Sequence, residues 1–333
     1  MRDTRPVRPE EISVVVQGGV HPEYTPQCLR SVRTALPGAF LLLSTWEGTD
    51  CRGLDCDELV QSRDPGAVYS DMENRVLNNF DRQLVSTRAG LMRVRTPYCM
   101  KLRSDMLLLD ASFLRFFGRY DAVPPPYLGN RILILDFYTR NPRILPVPFH
   151  PSDWLAFGRT EDLRRYYDIP LQPEEERRWF ASHRKESACF PTLLMRYAAE
   201  QYFCLGFLRA REDIRCENYY DASPENIRRT ERFFAENLVV LDYGRQMNVH
   251  FQKRHPNYLG DRPNLLHHRD WRMLYRHYCR GEVAPVWRAY LLRCRMRRFV
   301  FVALRRHTLD FLDRMGLRTE LRRLCEKMGR VRP

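Results

Sequence analysis

The stretch Tyr-Cys-Met-Lys-Leu-Arg-Ser-Asp (98–105) decides how this 333-residue chain is read. Thr96-Pro97 stands just before it and stops the preceding helix, because proline has no amide hydrogen and clashes with the turn before it. Tyr98 to Leu102 then suits a strand buried in a sheet, and the chain turns polar at once in Arg103-Ser104-Asp105. A buried strand ending in charged residues is what an α/β sheet presents along its carboxyl edge, where ligands bind.

Working outward, the pattern repeats. Ile12 to Val16 is rich in β-branched residues and runs into Gln17-Gly18-Gly19; Ala39 to Leu43 runs into Ser44-Thr45-Trp46-Glu47-Gly48. Glu58 to Gln61 reads as a short third strand closed by the turn signal Asp64-Pro65-Gly66. Between these lie two helical patterns. Thr25 to Leu36 puts Leu29, Val32 and Leu36 on one face, and Asp71 to Arg95 spaces Met72, Val76, Phe80, Leu84 and Leu91 at helical intervals. The expectation is a mainly parallel sheet flanked by helices, with Gln17, Glu47, Asp64 and Asp105 meeting at its carboxyl edge. Beyond, Arg131 to Phe137 and Leu238 to Tyr243 read as strands, and Glu161 to Tyr167 and Pro191 to Leu208 as helices. From Trp271 the pattern is helical in about three pieces. Residues 1–270 are therefore read as one α/β domain and 271–333 as a basic helical appendage.

Composition narrows the classes. Apolar residues make up 44% and charged residues 29%, as in folded proteins rather than disordered ones. No apolar run reaches 18 residues and the N-terminus lacks a signal-peptide core, so the expected location is the cytoplasm, peripheral at the inner face of the inner membrane. The ten cysteines form no CxxC pair and read as free thiols. From Trp287 onward thirteen arginines and Lys327 stand against four acids, so most of the net charge of +14 lies in the last segment. Arginine interleaved with Phe299, Val300, Phe301, Leu304, Phe311 and Leu312 suits an anionic membrane surface; nucleic-acid phosphates and a packed helical cap are the weaker readings.

Chemistry-bearing residues cluster in the same places. Asp105, directly after its strand, offers a carboxylate to a divalent ion, although the position equally suits a turn or helix cap. Asn78, Asn79, Arg82 and Gln83 form a polar patch on the preceding helix, and an arginine there can stabilise a diphosphate. Asp153 sits in His-Pro-Ser-Asp-Trp (150–154), with Trp154 suited to stacking on a sugar ring. Glu200 interrupts an apolar helix, which is costly unless it has a partner or a task. Either could be a proton-accepting base. His250, after a strand and a glycine turn, is a second candidate metal ligand.

Several segments resemble the WavE family of lipopolysaccharide-synthesis proteins: ISVVVQGGV (12–20), LPGAFLLLSTWEG (36–48), DPG (64–66), NNFDRQLVSTRAGL (78–91) and KLRSDM (101–106), with looser matches at PFHPSDWLAFG (148–158) and AAEQYF (198–203). They cover about the first 210 residues, and the basic helices fall outside them. The resemblance implies a GT-A-like α/β fold and transfer of a sugar from a nucleoside diphosphate sugar to a lipid-linked or oligosaccharide acceptor. It implies Asp105 at the metal (Mn²⁺ or Mg²⁺) or donor position, Arg82 and Gln83 near the donor, and Asp153 and Glu200 on the acceptor side. Gln17, Gly18, Glu47, Asp64, Asn79 and Arg103 complete the expected donor set, with His250 as the further metal ligand. Rival readings are a nucleotidyl- or phosphosugar transferase and a non-catalytic polysaccharide-assembly or nucleic-acid-binding protein.

Overall fold

The computed structural model describes residues 6–71, 76–179, 195–253, 262–282, 285–300 and 315. The first strand, β1 (Ile12–Gln17), is buried along its whole length, as its unbroken β-branched run requires. Helix α1 (Tyr24–Ala35) carries the chain to β2 (Phe40–Trp46), β3 (Glu58–Ser62) follows, and a small antiparallel hairpin is made by β4 (Val68–Asp71) and β5 (Val76–Asn78). Helix α2 (Phe80–Arg93) leads to β6 (Tyr98–Arg103) and the short β7 (Met106–Leu108). Then come β8 (Ile132–Leu135), β9 (Leu155–Arg159), α3 (Thr160–Tyr167), α4 (Glu174–Arg177), α5 (Ala199–Arg209), α6 (Pro224–Asn237), β10 (Leu238–Leu241) and β11 (Val249–Phe251). Two helices close the described chain, α7 (His268–Arg280) and α8 (Pro285–Arg298).

Seven strands form the central sheet in the order β10-β8-β9-β6-β1-β2-β3. All are parallel except β9, which runs antiparallel to both β6 and β8. The carboxyl ends of β1, β2, β6, β8 and β10 therefore share one edge. Because β1 feeds β2 on one side and pairs with β6 on the other, the chain switches direction at β1, the place where α/β sheets open a ligand crevice. Helix α2 lies close over β1 and β2, and a side chain on Gly90 would collide with Val15.

The expected α/β architecture is the one observed, including a C-terminal helical region. One helix differs from its reading. The pattern over 71–95 predicts helix throughout, yet α2 begins only at Phe80. Asn78 is the reason: its Oδ1 accepts the Phe80 amide at 3.0 Å and its Nδ2 donates to Gln172 at 2.7 Å, so a side-chain turn replaces the first helical bonds. The helix expected from Pro191 starts at Ala199, and residues 191–194 lie outside the described residues. Strand β9 has no counterpart in the sequence reading, nor has α6, despite Ser223 capping it and Pro224 at its first turn.

Candidate functional site

A cavity of about 480 Å³ opens at the carboxyl ends of β1, β2 and β6 and is closed on one side by the first turns of α2. Gln17, Gly18, Trp46, Arg103 and Asp105 line it from the sheet; Asn79, Arg82, Gln83 and Ser86 line it from the helix. Its floor is stitched together. The Ser104 amide donates to the Gln17 carbonyl, the Ser104 hydroxyl donates to the Gly19 carbonyl at 2.8 Å, and the Ser86 hydroxyl donates to Gln17 Oε1 at 2.8 Å. Gly18 has a φ of +123°, a left-handed conformation that a side chain resists, and a Cβ there would press on the Ser104 hydroxyl at 3.2 Å.

The charges on this wall are paired in forks. Arg103 holds Asp105 through two bonds of 2.9 and 2.7 Å while its guanidinium lies 4.2 Å over the Trp154 ring. Burial alone would raise the Asp105 carboxyl, but the Arg103 bonds and charge hold it below the ordinary carboxylate value. Arg82 holds Asp64 at 2.7 and 2.5 Å and thereby lowers the Asp64 carboxyl. Lys253, just past β11, faces the cavity and adds its charge to Asp105.

Next to Arg103, in the interior, lies a second set of charges. Lys101 is fully buried in β6 and donates to the Asp153 backbone carbonyl, with the Asp153 carboxylate 3.7 Å away. Glu200, in the first turn of α5, stands 3.8 Å from His150 Nε2. Burial, and then the Asp153 charge, push the Glu200 carboxyl up to about 8. Burial and the nearby Arg140 push His150 down to about 3, so its imidazole is neutral at ordinary pH. The Asp153 and Glu200 charges both act on Arg103, which links this interior set to the cavity wall.

A family model described as WavE lipopolysaccharide synthesis matches residues 12–303. The chain belongs to the WavE lipopolysaccharide synthesis family. No curated protein matches the sequence significantly. Membership ties this WavE protein to lipopolysaccharide synthesis, and the match runs well past residue 210, so α7 and α8 are part of what the family shares rather than lying outside it. No helix among the described residues is long and apolar enough to cross a membrane.

Of the residues singled out in the sequence, Gln17, Gly18, Asn79, Arg82, Gln83, Arg103 and Asp105 share the cavity. Asp64 reaches it only through Arg82. Glu47 is exposed in the turn after β2 and does not line the cavity. Asp153 and Glu200 come together, but in the interior beside Lys101 rather than on the wall. His250 is exposed on β11, opposite Leu107, and does not line the cavity that Asp105 lines.

Among the described residues, Asp136, Asp242 and His267 form a group that could hold a metal ion, their ligand atoms lying within 4.8 Å of one another. Asp136 follows β8 and Asp242 follows β10 on the same carboxyl edge. His267 Nδ1 is 2.8 Å from Asp136 and 3.8 Å from Asp242, while Asp136 also accepts the Tyr243 amide and Asp242 the His268 amide. Two carboxylates and an imidazole are a mixed oxygen and nitrogen donor set that suits a divalent transition-metal ion. The sequence reading placed both aspartates inside strands, over 131–137 and 238–243; the structure ends those strands at Leu135 and Leu241 and so puts each carboxylate directly after one. Lys101 also carried a signal, as a lone ammonium within an apolar strand.

Proposed function

We propose that this WavE protein is a glycosyltransferase that moves a sugar from a nucleoside diphosphate sugar to a lipid-linked or growing glycan. The cavity at the sheet's switch point carries this reading. Its volume suits a nucleotide-sized ligand, and three cations, Arg82, Arg103 and Lys253, surround it. Trp46 offers a face to a nucleobase, and Arg103 with Lys253 supplies positive charge to meet the negative charge that a leaving diphosphate develops. Arg103 is held ready by Trp154 and Asp105, so little reorganisation is needed when the phosphates arrive.

A divalent ion would add Lewis-acid charge neutralisation to the same step. Asp105 offers it one carboxylate from the cavity wall; Asp136, Asp242 and His267 offer three donors farther along the edge. For an inverting course, Glu200 is the better base of the two acids. Asp153 is committed to Lys101, whereas Glu200 faces a neutral histidine and titrates near working pH, as a base should.

The test is thermal unfolding against a panel of nucleotide sugars and nucleoside diphosphates, with and without Mn²⁺. A ligand at a hundredfold excess over its Kd should add about 2.7 kcal/mol of stability. One nucleotide should shift the midpoint, and Arg103→Ala should abolish the shift. Loss of only the Mn²⁺-dependent part in Asp105→Asn, or in Asp136→Asn, identifies which group holds the ion. A folded protein that no donor stabilises would sink the proposal.

A further inference from the structure

Helix α8 and the helical turn that continues it through 299–300 present a face that the proposed reaction does not use. Leu292, Met296, Phe299 and Val300 follow one another at helical spacing and are 60%, 62%, 61% and 57% exposed. Arg288, Arg295 and Arg298 are exposed beside them, and no acid occurs from residue 285 to 300. The opposite face is fastened to the body. Tyr290 and Cys294 are buried, Arg293 and Arg297 both pair with Asp270, and Trp287 stacks on His277 at 3.9 Å.

We infer that this outer face of α8 docks the protein on an anionic lipid surface, with Leu292, Met296 and Phe299 entering the acyl boundary and the three arginines meeting phosphate headgroups. Charge complementarity selects this occupant. A strip of bulky apolar side chains edged by arginine alone gains from an apolar phase bordered by negative charge, and a lipid leaflet is that surface. Nucleic acid offers phosphates but no apolar phase for Leu292 and Met296. Residues 301–333 add nine basic residues against four acids, strengthening long-range attraction to the same surface.

The location of α8 gives docking a consequence. Asn141 donates to Tyr290 on the inner face of α8 at 3.3 Å, and its neighbour Arg140 acts electrostatically on Glu200. The docked helix thus abuts the segment bordering the interior acids, on the side where a lipid-linked acceptor would approach. That consequence rests on the glycosyl-transfer reading; the docking does not.

Co-sedimentation of the full chain with vesicles tests it. Vesicles of phosphatidylethanolamine with phosphatidylglycerol should bind the protein, vesicles of phosphatidylcholine alone should not, and added salt should weaken binding. Arg288→Glu/Arg295→Glu/Arg298→Glu should lower the partition coefficient at least about fivefold per arginine. Leu292→Ser/Met296→Ser/Phe299→Ser should lower it about tenfold or more, with an unchanged thermal unfolding midpoint as the control for folding. Should the triple variant unfold, Leu292→Ser alone must still weaken binding. Equal binding to phosphatidylcholine, full binding by the serine variants, or preference for RNA over anionic vesicles would each overturn the inference. Loss of vesicle binding leaves the donor-induced shift in place, so failure here and failure of the proposed reaction are told apart.

Discussion

The cavity wall and the interior beside it hold the same kinds of residue under opposite conditions. On the wall, Arg82 and Asp64 are each about one-third exposed, at 33% and 32%, and their fork can open to solvent or ligand. In the interior, Lys101 and Asp153 are nearly inaccessible, at 1% and 7%, and neither charge has water to fall back on. A paired charge on the wall is therefore available for binding at small cost to the fold, whereas a paired charge in the interior is a condition of the fold. Glu200 belongs to neither extreme: it is buried with the second set, and among the described residues its nearest ion-pair partner is His150, 3.8 Å away.

The sharpest way to break the comparison is to remove the buried cation. Lys101→Met should cost about 3–5 kcal/mol, because it strands the Asp153 carboxylate in a low-dielectric setting. Denaturant unfolding measures this, and Lys101→Met/Asp153→Leu should recover a large part of the loss. If the single variant is as stable as wild type, the interior pair is not the constraint described here. A smaller effect is expected on the wall. Arg82→Gln should change unfolding free energy by about 1 kcal/mol or less, yet it should weaken nucleoside diphosphate binding about tenfold, since a charge-assisted phosphate contact is lost. Calorimetric titration alongside the same unfolding experiment separates the two quantities.

Glu200 provides the finest distinction, through pH. Its folded-state value is raised above the ordinary carboxylate value, so its contribution to stability is present at low pH and is lost as pH rises through about 8. Glu200→Gln should match wild type in melting temperature near pH 5 and exceed it above pH 8. The same substitution should abolish transfer if Glu200 is the base, while leaving donor binding intact. His150 works in the other direction. Its value is depressed, so its contribution is present above the ordinary histidine value and is lost as pH falls toward about 3. His150→Phe should remove that part of acid unfolding, read as a shallower loss of stability below pH 5.

Much of the scaffold was legible because it rests on local pattern. The apolar runs of β1, β2 and β6 and their abrupt polar ends mark strands buried on both faces, and of the four residues the strand-end rule selected, Gln17 and Asp105 line the cavity while Glu47 and Asp64 do not. What failed did so where pairing is non-local. The hairpin of β4 and β5 carries residues that also fit a helix, and only the bonds of Asn78 to Phe80 and Gln172 decide against it. The antiparallel β9 between β6 and β8 has no separate sequence signature, yet it brings Asp153 and Trp154 to Lys101 and Arg103.

By itself the sequence determined a buried parallel sheet, the edge where its polar ends collect, and a basic C-terminal segment, since burial period, turn residues and charge are properties of neighbours along the chain. Only the tertiary structure decided which charges meet. It paired Arg103 with Asp105 and Lys101 with Asp153, set Glu200 beside His150, gathered Asp136, Asp242 and His267, and turned one face of α8 outward. Those choices depend on distance and dielectric across the sheet, and sequence separation measures neither.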